Sequence, residues 1–294
     1  MFSMCLCGKL FLMLEKEIET AITLARNAGD LILDFYDKGF AVEEKRTKDN
    51  NTEPVTEADR ASSALIIKGL DEIFPEDGIL SEEEIDLPDR LSKQRVWMID
   101  PIDGTRSFVE KAGDFAVQIG LCEDGKPIVG VVFQPIGDRL YYAAKDSGAF
   151  YVEKGGEPQK LNVSEKFDFA EMILAVSRSH RSPKMTNLVE HFGFGGEVAH
   201  GSVGLKIGLL ARQLADLYIH LSPRTKFWDT CAPQIILEES GGKLTNLFGD
   251  EINYNIEDTQ NYNGVLATNG TAHEIILSKL KPLLTKFGRV KVKN

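Results

Sequence analysis

The chemistry in this chain is carried by carboxylates. Residues 96–108 read VWMIDPIDGTRSF: an apolar run ends in Asp100 and Asp103, followed at once by Gly104 and Thr105. Pro101 locks the backbone between the two acids, and Arg106 is the only close cation. Three further acids, Asp59, Glu82 and Asp229, also stand where a predicted regular element begins or ends. Two bare carboxylates held close together repel, and burial makes the repulsion worse. A fold tolerates them when a hard divalent cation sits between them. Mg²⁺ prefers oxygen ligands and often binds through few carboxylates plus substrate phosphate. On this reading Asp100 bridges two ions, Pro101 lets the Ile102 carbonyl point back as a neutral ligand, and Asp103 serves the second ion. Gly104 permits close approach of the backbone. The amides of Gly104 and Thr105, opening the next helical turn, then face a phosphate oxygen.

Each acid also has a plain structural reading. Asp59 follows Thr56 in a T-x-x-D pattern, which is a capping box. Glu82–Glu84 reads as a solvated acidic turn. Asp229 reads as a helix N-cap, with Pro233 tolerated in the first turn. D-P-x-D-G reads as a type I turn. It is the combination, in this order and at these spacings, that favours one shared site.

Several elements must bring these acids together. An amphipathic helix spans 15–37, its apolar stripe made by Ile18, Ile22, Ala25, Leu31, Ile32 and Phe35. Residues 39–54 are polar and turn-rich and read as a loop. A second helix covers 55–74 and stops before Pro75. A short strand in 78–84 runs into acid, and RVWMI, 95–99, is the strand leading to Asp100. From Phe115 to Val152 the apolar period becomes two, with turn signals at Asp124-Gly125, Ile136-Gly137-Asp138 and Ser147-Gly148, which predicts an antiparallel meander. KGGEPQK, 154–160, marks a subdomain boundary. Beyond it strands are expected at 172–177, 216–221, 242–247 and 264–268, and helices at 201–213, 228–240 and from Thr271 onward. The expected organisation is an extension over 1–14, an α+β subdomain over 15–157 with most of the acids, and an α/β subdomain over 158–294 with Asp229.

Bulk properties limit the partners. The net charge of −11 argues against a basic grip on nucleic acid or anionic lipid, while leaving room for a small anionic substrate bridged by cations. The cysteines at 5, 7, 122 and 231 form no C-x-x-C pair and the five histidines lack metal-binding spacing, so neither a disulfide framework nor a zinc site is expected and a reducing cytoplasm fits. The opening MFSMCLCGKLFLML is apolar but too short to span a bilayer, lacks a basic start and is interrupted by Lys9. It reads as a leader extension or an upstream start, with Met13 just before the first helix.

DPIDGTRSF, ILSEEE, PVTEAD and WDTCAPQIILEESGG together resemble the signature segments of the inositol monophosphatase superfamily, Mg²⁺-dependent, lithium-sensitive phosphomonoesterases. The resemblance covers about Glu15 to Gly270. It implies an α/β (α+β) fold, a layered αβαβα sandwich with the site between two subdomains. It implies that Glu82, Asp100 and the Ile102 carbonyl hold one Mg²⁺, that Asp100, Asp103 and Asp229 hold a second, and that Glu82 with Asp59 holds a weaker third through water. Thr105, hydrogen-bonded to Asp59, would position and deprotonate the attacking water. Within the superfamily, VSRSH (176–180) and GSVGLKIG (201–208) resemble the 3'(2'),5'-bisphosphate nucleotidases of sulfur assimilation and their animal relatives. That resemblance makes Ser179, His180, Ser202 and Lys206 substrate contacts, with Lys206 on the retained 5'-phosphate, beside the Gly104–Thr105 cradle. Where inositol phosphatases place a glutamate seven residues before the W-D aspartate, this chain has Ser222, followed by Arg224 and Lys226, which suit a second anion. The expected reaction is removal of the 3'-phosphate of adenosine 3',5'-bisphosphate. The alternative is an inositol or sugar phosphatase with the same metal site. A sensor that had lost turnover would not need the Asp59–Thr105 pair. The expected state is a monomer or homodimer without stable membrane association.

Overall fold

The stripe read at 15–37 folds as α1 (Glu15–Lys38), which buries Ile18, Ala21, Ala25, Ala28 and Ile32 along one face. It stops at Gly39, whose φ of 95° leaves the helical region while its N–H still bonds Phe35 O at 2.9 Å. The structure, a computed structural model, describes residues 14–46, 52–178 and 181–293. The expected extension over 1–14 therefore lies outside the described residues apart from Leu14.

The segment 39–54, expected to be a loop, contains a two-stranded antiparallel hairpin, β1 (Val42–Arg46) and β2 (Thr52–Thr56). Its residues VEEKR and TEPVT show no apolar alternation because β1 lies against solvent: Val42, Glu43 and Glu44 are exposed. Backbone pairing and ion pairs such as Lys45 with Glu82 and Glu83 hold it, with Val55 its one buried apolar side chain, so the periodicity had little to register. Then α2 (Glu57–Ile73) begins at Thr56 and ends as Phe74 N–H bonds Leu70 O, before Pro75.

α1 and α2 cover one face of a seven-stranded sheet whose strands lie side by side in chain order: β3 (Gly78–Ser81), β4 (Arg95–Asp103), β5 (Ala116–Glu123), β6 (Lys126–Gln134), β7 (Arg139–Ala144), β8 (Gly148–Glu153) and β9 (Gln159–Lys160). β3 and β4 run parallel, and every later pair is antiparallel, so the expected meander is present. A five-residue helix, α3 (Thr105–Val109), leaves the end of β4. After β9 the chain builds a second sheet from β10 (Ile173–Ser177), β11 (Gly196–His200), β12 (Leu217–His220), β13 (Lys243–Thr245) and β14 (Val265–Thr268), in the order β11-β10-β12-β14-β13.

Four helices sandwich that sheet. α4 (Pro183–Phe192) and α7 (His273–Lys286) pack on its outer face around Leu174, Leu217, Ile219 and Leu266. α5 (Val203–Ala211) and α6 (Phe227–Glu239) fill the space between the two sheets, which is why both are apolar nearly all round. The result is the expected αβαβα layering, a mixed α/β architecture. α4 and β11 were not anticipated, although the signals were present: Ser182 caps α4, Pro183 occupies its first turn and Gly193 closes it in the left-handed region. No helix among the described residues is long and apolar enough to cross a membrane.

Candidate metal centre and active site

In a regular strand, residues three apart face opposite sides of the sheet. Asp100 and Asp103 escape this rule because β4 does not end at Ile99 but continues through a register shift between them. Asp100 pairs with Gln118 and Asp103 with Ala116, two partners that are themselves two apart and so share a face of β5. The extra residue is a β-bulge at Pro101-Ile102, and it turns both carboxylates to the side of the sheet away from α1 and α2. Ile102 goes the other way, into the core beneath those helices. The type I turn reading is therefore corrected: the segment is the bulged end of a strand, with Asp100 Oδ1 accepting the Ile102 N–H at 3.0 Å.

α6 brings the third acid. Gly120 and Gly130 face each other across β5 and β6, and a Cβ on either would meet α6 itself, at 2.8 Å from Ala232 N and 2.4 Å from Ala232 O respectively. This notch seats α6 against the sheet with its first turn over the bulge. Asp229 is the third residue of α6 rather than its N-cap, and its Oδ2 accepts the Lys226 N–H at 2.7 Å. Oxygens of Asp100, Asp103 and Asp229 then lie within 4.8 Å of one another. Burial is the main reason that all three carboxyls are held above their ordinary range, and the mutual repulsion of these acids and Glu82 adds to it at Asp100 and Asp229. At Asp103 the Lys206 ammonium, the Ser202 hydroxyl and the Gly204 and Val203 N–H groups oppose the shift; Gln118 Nε2 at 2.6 Å, the Gly204 N–H at 2.8 Å and the Ser202 hydroxyl all converge on Oδ2. With Oδ2 so engaged, Oδ1 is the oxygen left to face a cation. An all-oxygen donor set this close and this buried fits a hard divalent cation.

The other two acids stand at the rim. Glu82 follows the end of β3, with its N–H on Ile99 O at 3.1 Å, and burial pushes its carboxyl up to about 7. Lys45 of the β1–β2 hairpin opposes that shift, its ammonium 3.1 Å from Glu82 and 2.8 Å from Glu83. The Asp59 carboxylate closes the capping box and also reaches Thr105. Oδ2 closes the capping box on the Thr56 N–H at 2.7 Å, while Oδ1 lies 3.4 Å from the Thr105 hydroxyl. That hydroxyl is also 3.1 Å from the Ile102 carbonyl, so its single proton can go to either. Burial pushes the Asp59 carboxyl up to about 6, against the Thr56 hydrogen bonds.

Among the expected substrate contacts, Gly104 adopts φ 95° at the start of α3, and a Cβ there would stand 3.2 Å from Asp114 O. Ser179 and His180 lie outside the described residues. Ser202 and Lys206 are placed differently from what a direct substrate contact requires. Ser202 is fully buried, caps α5 and donates to Asp103. Lys206 is 1% exposed, donates to the carbonyls of His200 and Gly201 at 3.3 and 3.1 Å, and lies over the Tyr218 ring. Burial lowers its ammonium to about 8. Both residues brace the acid cluster from beneath. Gln118 and Lys45 are the site residues that sequence reasoning missed. Gln118 had a signal, as the one polar side chain inside AVQIGLC. Lys45 sat in a segment read as a loop.

Residues 13–284 match the inositol monophosphatase family. The chain is 36% identical over 238 residues to the 3'(2'),5'-bisphosphate nucleotidase CysQ of Salmonella typhimurium, covering 81% of this chain and 93% of that one. It is 35% identical over 244 residues to the CysQ of Buchnera aphidicola, covering 82% and 89%. Among solved structures, the Thermotoga maritima IMPase superposes with a TM-score of 0.77 at 26% identity, covering 93% of this chain and 100% of that one. CysQ from Bacteroides thetaiotaomicron superposes at 0.72 and 28% identity, covering 87% and 98%. With this match over nearly the whole chain, the chain belongs to the inositol monophosphatase family, whose members are metal-dependent, and it is a phosphatase acting on phosphorylated substrates.

Proposed function

We propose that the protein is a Mg²⁺-dependent 3'(2'),5'-bisphosphate nucleotidase that hydrolyses the 3'-phosphate of adenosine 3',5'-bisphosphate, leaving AMP and phosphate. The observation that carries this reading is the Asp100–Asp103–Asp229 trio, two of its acids buried and the third half-buried, beside the Gly104–Thr105 turn. The choice of substrate follows the relatives named as bisphosphate nucleotidases. Two or three Mg²⁺ ions would be held by Glu82, Asp100, the Ile102 carbonyl, Asp103 and Asp229. Bound there, Mg²⁺ supplies a lowered pKa for water and neutralises phosphate charge.

The residues of the chain do the rest. Asp103 is fixed by Gln118, Ser202 and Gly204, which set the orientation of its carboxylate before substrate arrives. With its proton on Asp59 Oδ1, Thr105 Oγ1 presents a lone pair to the attacking water. The proton then passes from water to Thr105 Oγ1, and the Thr105 proton to Asp59 Oδ1, which burial has made basic enough to hold it near neutral pH. Displacement at phosphorus asks mainly for this positioning and for charge neutralisation. A cytoplasmic location belongs to the same proposal. The thiols of Cys122 and Cys231 lie buried 3.3 Å apart, a pair suited to a reducing compartment.

The test is phosphate release from adenosine 3',5'-bisphosphate and from inositol 1-phosphate, each with Mg²⁺ and with or without Li⁺. The proposal expects turnover of the nucleotide at least about tenfold above the inositol ester in kcat/KM and inhibition by Li⁺. Preference for inositol 1-phosphate would transfer the site to the alternative reading. Full activity after EDTA treatment would remove the metal from it.

A further inference from the structure

Beside the Gly104 turn lies an arginine that none of the roles above uses. Arg178 follows the end of β10, and its backbone N–H bonds His200 O at 3.1 Å, at the end of β11. Its Nε and Nη2 reach Asp114 Oδ2 at 2.9 and 2.8 Å. The two partners differ sharply in setting: the Asp114 side chain is 4% exposed and that of Arg178 is 46% exposed. The same Oδ2 accepts the Gly201 N–H at 2.7 Å, and Asp114 Oδ1 is buried without a hydrogen-bond partner among the described residues. This knot is continuous with the turn. The Asp114 carbonyl is 3.2 Å, and the Ser202 N–H nitrogen 3.4 Å, from where a Cβ on Gly104 would stand. A Cβ on Gly201 would meet Ser107 Oγ of α3 at 2.1 Å.

A buried carboxylate thus holds a half-exposed guanidinium in one orientation beside the place where a phosphate would rest. An arginine serving only to join β10 to β11 would need neither that exposure nor a dedicated buried acid. The neighbouring Lys206 is buried and committed to two carbonyls, and burial lowers the pKa of His200 against the pull of Asp114. Arg178 is a cation beside this turn that is held in one orientation and presented to solvent, and its planar fork matches phosphate oxygens.

We propose that Arg178 is a specificity-determining residue that binds the second anionic group of the substrate, the phosphate that is not hydrolysed. This rests on the bisphosphate reading above and moves that recognition from Lys206 to Arg178. The experiment uses the whole protein with Mg²⁺ and measures kcat and KM for adenosine 3',5'-bisphosphate and for 3'-AMP in the wild type, Arg178→Ala and Arg178→Lys. Loss of a charged hydrogen-bonding partner should lower the bisphosphate-to-monophosphate ratio of kcat/KM by about 10- to 100-fold, carried by KM. Arg178→Lys should recover part of it. Equal losses on both substrates would overturn the proposal and leave Arg178 as a brace for Asp114; Arg178→Lys reports the same ratio should the alanine variant fold poorly. A wild type that does not prefer the bisphosphate over 3'-AMP would overturn the nucleotidase reading itself. A wild type that does, with variants that keep the preference, would overturn only this inference.

Discussion

Asp103 shows how much of a site lies behind the residue that faces the reaction. One of its oxygens is pinned by Gln118, Ser202 and Gly204, which leaves the other fixed in direction. Asp103→Asn should lower phosphate release by about 10²–10³-fold or more, the scale on which single preorganised electrostatic groups act. Melting with EDTA present should show that the fold survives, because one of the mutually repelling charges is gone. Gln118→Leu should cost roughly 10- to 100-fold in activity or in Mg²⁺ affinity, read by calorimetric titration. An unchanged Mg²⁺ affinity and rate would mean that Asp103 holds its orientation without this donor. The acids themselves were legible in the sequence because Asp100 and Asp103 each interrupt an apolar run. Lys206 was misjudged for the converse reason. A lysine inside VGLKIGLLA, a helix buried along its length, had to be an interior group. The likeness of GSVGLKIG to the bisphosphate nucleotidases suggested a phosphate, whereas its neighbours give it carbonyl partners.

At the scale of elements, the site depends on how closely α6 can lie on the first sheet. Gly120→Ala would place a methyl 2.8 Å from the backbone nitrogen of Ala232 and 2.5 Å from Cys231 Sγ, so the helix must lift. The expected cost is about 1–3 kcal/mol of stability. Activity should fall by more than that loss explains, since Asp229 moves with the helix. Chemical denaturation and kinetics on the same sample separate the two effects. The helices and the meander were readable because each buries one regular face, as Ile18, Ala25 and Ile32 do on α1. The β1–β2 hairpin was not, because a single buried valine, Val55, beside an exposed β1 writes no pattern. The continuation of β4 past Pro101 was not, because a bulge breaks the alternation by which a strand is recognised.

The whole molecule carries its acids at the meeting of two sheets, and its stability should therefore depend on pH and metal together. Burial holds the Glu82 carboxyl at about 7 and Asp59 at about 6, above the roughly 4 of an unfolded chain. Groups raised in this way give the folded state extra bound protons. Their contribution is full at low pH and is lost as pH rises through the folded values. His273, lowered by burial to about 4, pushes the opposite way only below about 6.5, and Lys206, lowered to about 8, does so only above that value. Between pH 6.5 and 8, then, the EDTA-treated protein should lose thermal stability. Saturating Mg²⁺, which binds only the folded cluster, should restore it and flatten the slope. A Tm that rises over this interval without metal would count against the cluster as the source.

The extra residue at Pro101-Ile102 has a consequence for how this protein can change. Ironing out the bulge while keeping every residue would restore an unbroken pleat, and two acids three positions apart would then face opposite ways, one of them into the oily layer beneath α1 and α2. Every ligand would still be encoded, yet they would no longer share a pocket. The bulge is therefore as necessary as the acids: the loops around the molecule can lengthen or shrink, but this short stretch must keep a backbone that brings an odd spacing onto one face.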